Sequence, residues 1–173
     1  MNALNAAAVA CLLVLLPLAG CSGGSASMRD AIPIGEMATP WVLVGEVWEG
    51  DLIDAIDATG EDGARWLERG ARRVHLAKYV HRDHPVQRLT VRAFEFPDGA
   101  SAREACAAAR PAGAEEYRCG DSGFWTDDGV TCALGPHVLE VFGEDGEMRT
   151  QLAAAYLAGI VASRRDSPSA SEN

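Results

Sequence analysis

The chain has 173 residues, with fifteen basic and twenty-five acidic side chains and a formal net charge of −10. At 48% hydrophobic and 23% charged it has the composition of a folded body, and its length suits one domain with a real core. The acidic balance excludes the simplest nucleic-acid binders, which gather Lys and Arg against phosphate.

Residues 6–20 form one apolar run, Ala-Ala-Ala-Val-Ala-Cys-Leu-Leu-Val-Leu-Leu-Pro-Leu-Ala-Gly. A bilayer span needs about 20 such residues, so this run is short for one and suits a secretory h-region. It ends in Leu18-Ala19-Gly20-Cys21, followed by Ser22-Gly23-Gly24-Ser25. That quartet resembles the bacterial lipobox. The resemblance implies diacylation of the Cys21 thiol, cleavage before it and acylation of the new amino terminus, a covalent lipid being the only cofactor expected. Met1 to Asn5 depart from the pattern in carrying no Lys or Arg. Ser22, where an Asp would signal inner-membrane retention, points to the outer membrane, facing the periplasm. The chain divides on this reading into a signal peptide (1–20), a lipidated tether (21–39), one domain (40–165) and a disordered tail (166–173).

Export leaves Cys106, Cys119 and Cys132 in an oxidising compartment. Three thiols allow one disulfide with one left over, or three free buried cysteines. Cys106–Cys119 and Cys119–Cys132 would close loops of similar length, so chain entropy does not choose between them. The absence of a Cys-x-x-Cys spacing speaks against a cysteine metal centre or redox pair.

The domain opens with a strand predicted over Trp41–Trp48, rich in β-branched and aromatic residues. A helix follows over Asp51–Arg69, with Leu52, Ile56, Gly60, Gly63 and Leu67 on one face and Trp66 on its rim. Gly60 and Gly63 suggest close approach to a sheet, or else a kink. Arg72–His81 and Val86–Phe96 read as paired strands joined at Arg82-Asp83-His84-Pro85. In the second, Leu89, Val91 and Ala93 alternate with Arg88, Thr90 and Arg92, predicting one buried and one wet face. Ser101 with Glu104 reads as a capping box for a short Ala-rich helix ending near Arg110. Two more strands, near Glu115–Thr126 and Val130–Gly143, flank the hairpin signal Asp127-Asp128-Gly129. The last helix spans 147–164, with Met148, Leu152, Tyr156 and Ile160 as its apolar stripe.

The order β-α-β-β-α-β-β-α predicts an α+β fold: an antiparallel sheet of about five strands with helices on one face, ferredoxin-like packing being the nearest class. A sheet covered on both faces is the alternative.

Several segments in this order resemble an exported bacterial family known only as a domain of unknown function. They are the helix after Asp51, Trp66-Leu67-Glu68-Arg69-Gly70, Arg88 to Phe96, the helix over Ser101–Ala108, Gly120-Asp121-Ser122-Gly123-Phe124-Trp125 and Gly135 to Val141. The resemblance covers about 45–142. Ile56-Asp57-Ala58 and Arg69-Gly70-Ala71 depart from the family's Ile-Asn-Gly and Tyr-Gly-Phe segments. It implies a discrete exported domain and supplies no catalytic residues.

Candidate sites are few. His81, Asp83 and His84 form a weak metal candidate, in what is also an ordinary polar turn. Eight of the fifteen basic residues lie between Arg65 and Arg92. Strand alternation predicts Arg73, His75, Arg88 and Arg92 as a basic stripe on the wet face, suited to an anionic ligand or an acidic partner. The plainer reading is a solvated face whose arginines pair with Glu46 and Glu140. Trp125 reads as a core lid, or as a recognition anchor if exposed. Gly-Asp-Ser122-Gly echoes a protease nucleophile segment in a chain too short for that fold, and no nucleophile, zinc-protease or P-loop motif is present. The expectation is therefore a membrane-anchored envelope lipoprotein with a non-catalytic domain that binds a ligand or protein. An accessory subunit of an envelope complex is one alternative. A metal-binding protein or enzyme using His81, Asp83 and His84 is the other.

Overall fold

The structure is a computed structural model and describes residues 27–145 and 147–166. Residues 1–26, which include the segment expected to be a signal peptide and Cys21, and residues 167–173 lie outside the described residues. Among the described residues, seven strands form one sheet: β1 (Trp41–Leu43), β2 (Trp48–Asp51), β3 (Arg73–His81), β4 (Arg88–Glu95), β5 (Ser122–Trp125), β6 (Gly129–Leu134) and β7 (His137–Gly143). The helices are α1 (Met28–Ala31), α2 (Ile56–Glu68), α3 (Gly99–Ala109) and α4 (Met148–Asp166). The sheet order is β1-β3-β4-β7-β6-β5, with β2 also pairing β3, and every pairing is antiparallel.

The α+β class holds, and the finer expectations change. The order is not ferredoxin-like, because β5, β6 and β7 form a meander whose last strand returns beside β4. Three of the predicted strands are cut. Residues 44–47 interrupt 41–48, leaving β1 and β2 as separate partners of β3. Gly120 (φ 58) confines the strand over 115–126 to β5. Gly135 (φ 53) with Pro136 turns the strand over 130–143 into the β6–β7 hairpin. Left-handed backbone of this kind suits glycine and ends a strand.

Helices cover both faces, not one. Leu89, Val91, Leu139, Val141 and Cys132 face α4 and α1 in one core. Val74, Phe94, Val138 and Ala133 face α2 and α3 in the other, around the fully buried Trp66. The polar-looking positions of β4 misled the sequence reading: Thr90 and Arg92 are buried under the second layer, and only Arg88 is exposed.

Residues 28–38, read as tether, fold onto the first core. Met28, Ala31 and Ile32 are buried, and Tyr79 Oη donates to the Pro33 carbonyl at 2.9 Å. Asp98, not Ser101, caps α3, its carboxylate accepting from the Ser101 amide at 2.8 Å. The stripe chosen on α4 is inverted. Met148, Leu152 and Tyr156 are exposed, while Ala154, Leu157, Ala158 and Val161 face the sheet. Small side chains let a helix lie close to strands, so the alanine face wins the core and the bulky residues stay outside.

Candidate functional site

The site begins with a helix break. Gly60 has φ 63 and ψ −150, which interrupts α2. The neighbouring Thr59 carbonyl accepts a hydrogen bond from Arg92 Nη1 at 3.1 Å. This is the kink that the two helix glycines allowed from sequence. Gly63 makes room for it, since a Cβ there would lie 1.8 Å from Thr59 Oγ1.

Arg92 on β4 stands opposite Glu140 on β7 in the sheet register, and its Nε lies 3.3 Å from Glu140 Oε2. Glu140 Oε1 accepts from Arg65 Nη2 and from the indole Nε1 of Trp66, each at 2.9 Å. One buried carboxylate on the sheet thus gathers two guanidinium groups and an indole. The arginines also lie on aromatic faces, Arg65 5.3 Å from the Trp66 ring and Arg92 4.4 Å from Phe142. Trp66 packs on Phe94 and Phe96, which fixes its N–H toward the carboxylate.

This network floors a cleft of about 770 Å³ between α2, the loop after α3 and the β5–β6 hairpin. Ligand sites commonly enclose about 300–1,000 Å³. The Arg65 side chain is 42% exposed, whereas that of Arg92 is 9% exposed. Arg65 is therefore the guanidinium that a visitor can reach. Asp127 and Asp128, at the rim, are exposed and carry the opposite charge. Trp125 is half-buried at the wall with its ring 5.0 Å from Tyr117, so it is neither sealed core nor free anchor. Glu140 accepts two hydrogen bonds at Oε1 and pairs with Arg92 through Oε2, so it gathers positive charge at the cleft floor.

The predicted basic stripe does not exist. The β3–β4 register pairs Leu76 with Arg92 and Val80 with Arg88, while Arg73 pairs with Glu95 and His75 with Ala93. Arg73 and His75 thus lie on the face opposite Arg88 and Arg92. The turn between the two strands shifts one alternation against the other, so their basic residues fall on different faces. Of the four, Arg92 pairs with Glu140, one of the two partners the plainer reading named, but buried and not solvated, and Arg73 pairs with Glu49, not Glu46, at 2.9 Å. His75 is buried, and desolvation lowers its pKa, with Glu49 and Glu95 opposing that shift.

The turn at 81–84 carries no gathered ligand set. His81 Nδ1 already accepts from the Asp83 amide at 3.1 Å, Asp83 and His84 are exposed, and the His81 and His84 rings rest 5.0 Å apart. Among the described residues, the grouping of three histidine, cysteine or acidic side chains fit to hold an ion is His75, Glu95 and His137. Glu95 and His137 are not among the residues expected from sequence, because only the β4–β7 pairing brings them together. The three cysteines are free thiols and buried. Cys119 and Cys132 share the α4 core as neighbouring thiols in hydrogen-bond contact, not as a disulfide, and the Cys119 thiol lies 3.8 Å from the Ala158 carbonyl. Cys106 belongs to the α3 core.

Among the described residues, no helix is long and apolar enough to cross a membrane. Set against protein-family models, curated proteins and solved structures, the chain matches none.

Proposed function

We propose that this chain is a membrane-tethered envelope lipoprotein whose domain is a non-catalytic binder, and that the cleft over Glu140 holds a small amphoteric ligand such as a short peptide. The observation that carries the reading is the Arg65–Glu140–Arg92 network, buried at Glu140 and Arg92 and open to the cleft at Arg65. Buried ion networks are poor stabilisers, because desolvating the charges offsets their attraction. A chain that keeps one at the floor of an open cleft has a use for it. Arg65, half-open on the ring of Trp66, suits a ligand carboxylate, and Asp127 and Asp128 suit an amine across the mouth. Leu18-Ala19-Gly20-Cys21 supports the tether.

Isothermal titration with a panel of dipeptides tests the proposal. Binding should weaken at least tenfold in Arg65→Ala and vanish in Ala112→Trp, which plugs the mouth from an exposed loop position. Binding that ignores both substitutions, or none with any dipeptide, overturns it.

A second reading has its own observation. Met148, Leu152 and Tyr156 are 76%, 59% and 66% exposed at four-residue spacing along α4. Beside them lies a groove of about 410 Å³ lined by Tyr117, Tyr156 and Ile160. An apolar stripe of this kind marks a protein contact and favours the accessory-subunit role. Crosslinking through residue 152 in intact envelopes should then capture one dominant protein, and Leu152→Glu should abolish the capture.

A further inference from the structure

On the sheet face opposite the cleft, neighbouring strands bring two histidines and a glutamate together. His75 lies in β3, Glu95 ends β4, and His137 begins β7 as the direct register partner of Glu95. One ligand atom from each, a ring nitrogen or a carboxylate oxygen, lies within 4.8 Å of the others. We propose that His75, Glu95 and His137 form a binding site for a divalent transition ion, zinc foremost.

The donor set fits that chemistry. Two imidazoles and one carboxylate suit zinc and neighbouring borderline ions better than magnesium or calcium, which prefer oxygen throughout. Ligand atoms around a tetrahedral zinc stand about 3.4 Å apart, so closure needs roughly an ångström of movement. The half-buried Glu95 side chain can supply much of it. The backbone holding the ligands is paired sheet on both sides, which fixes their spacing before an ion arrives.

A second observation points the same way. His75 and His137 are only 5% and 8% exposed, and Nδ1 of each is buried without a hydrogen-bond partner. Folded proteins rarely leave such atoms unmatched. Glu49 stands 3.8 Å from His75 Nδ1. That is beyond hydrogen-bond distance, so the Glu49 carboxylate adds negative charge beside the site and leaves the ring nitrogen unmatched.

Three protein ligands leave a tetrahedral ion one open position. Arg165 of α4 is buried and lies against Gly135, two residues before His137. Its positive charge beside the ligands suits an anionic fourth ligand, hydroxide or a small carboxylate. The site shares no residue with the cleft, so either can fail without the other.

The test uses the full chain in detergent, stripped with chelator and dialysed against zinc chloride in the presence of a competing chromophoric chelator. One zinc per chain should be retained, and His75→Gln, Glu95→Gln and His137→Gln should each weaken retention at least tenfold. His81→Gln with His84→Gln should leave it unchanged. Should the buried variants fold poorly, the wild-type histidine ring ¹⁵N resonances give the answer directly: zinc should move those of His75 and His137. No retained zinc, retention indifferent to the three substitutions, or ring shifts confined to His81 and His84 would each overturn the site.

Discussion

Arg92 and Glu140 are register partners on β4 and β7, 3.3 Å apart at Nε and Oε2 and both buried in the middle of the sheet. The consequence is an asymmetry between removing one partner and removing both. Arg92→Ala or Glu140→Ala strands a charge and should cost about 3–5 kcal/mol. Arg92→Met with Glu140→Leu keeps volume without charge and should cost far less than the sum of the single changes. Urea unfolding of the four forms in a double-mutant cycle measures this. Additive losses would show that the two charges do not depend on each other.

Trp66→Phe keeps a ring on Phe94 and Phe96 but deletes the N–H that Glu140 Oε1 accepts. One lost hydrogen bond to a buried carboxylate should cost about 1.5–3 kcal/mol. The variant should also broaden or shift the Arg65 guanidinium resonances, since Arg65 shares that oxygen and lies on that ring.

The legible part of this fold was local. Hairpin chemistry at Asp127-Asp128-Gly129, the alternation of β4 and the helix before Gly70 could all be read from neighbouring residues. Three things were not local. Phase between β3 and β4 depends on the turn joining them, so Arg73 and His75 could not be separated from Arg88 and Arg92 by alternation alone. Coverage of the second face depends on where α2 and α3 land, and buried Thr90 and Arg92 look solvated in a linear reading. The α4 core face is made of alanines, which a search for large apolar residues passes over. Glu140 was legible only as a counter-charge, and its partner Trp66 only as a rim residue. The network that joins them spans some seventy-four positions of sequence and exists only once β4 and β7 pair.

Burial pushes the Cys106 thiol from its ordinary 9.0 up to about 11. Below pH 9 it is protonated in both folded and unfolded chains, and stability is unaffected by it. Between pH 9 and 11 the unfolded chain loses this proton first, so stability falls by about 1.4 kcal/mol per pH unit from this group. The buried Tyr79 hydroxyl is raised too and adds to the loss above pH 10. Urea midpoints at pH 8 and 10 should show the drop, and Cys106→Ala should make it shallower.

Cys21 carries the membrane assignment. In a bacterial host, Cys21→Ser should abolish labelling by a palmitate analogue and release the chain from the membrane fraction, since acyl chains supply about 0.8 kcal/mol per buried CH₂. Retention of label and of membrane association in the variant would remove the lipoprotein reading.

The cleft is tested most directly by its indoles. The chain has four tryptophans, of which Trp66 and Trp125 line the cleft and Trp41 and Trp48 lie on β1 and β2. In a ¹H–¹⁵N spectrum titrated with dipeptide, the account predicts saturable shifts of the Trp66 and Trp125 indole signals while those of Trp41 and Trp48 stay still. Shifts at Trp41 or Trp48 alone, or four unmoved indoles at millimolar dipeptide, would contradict it.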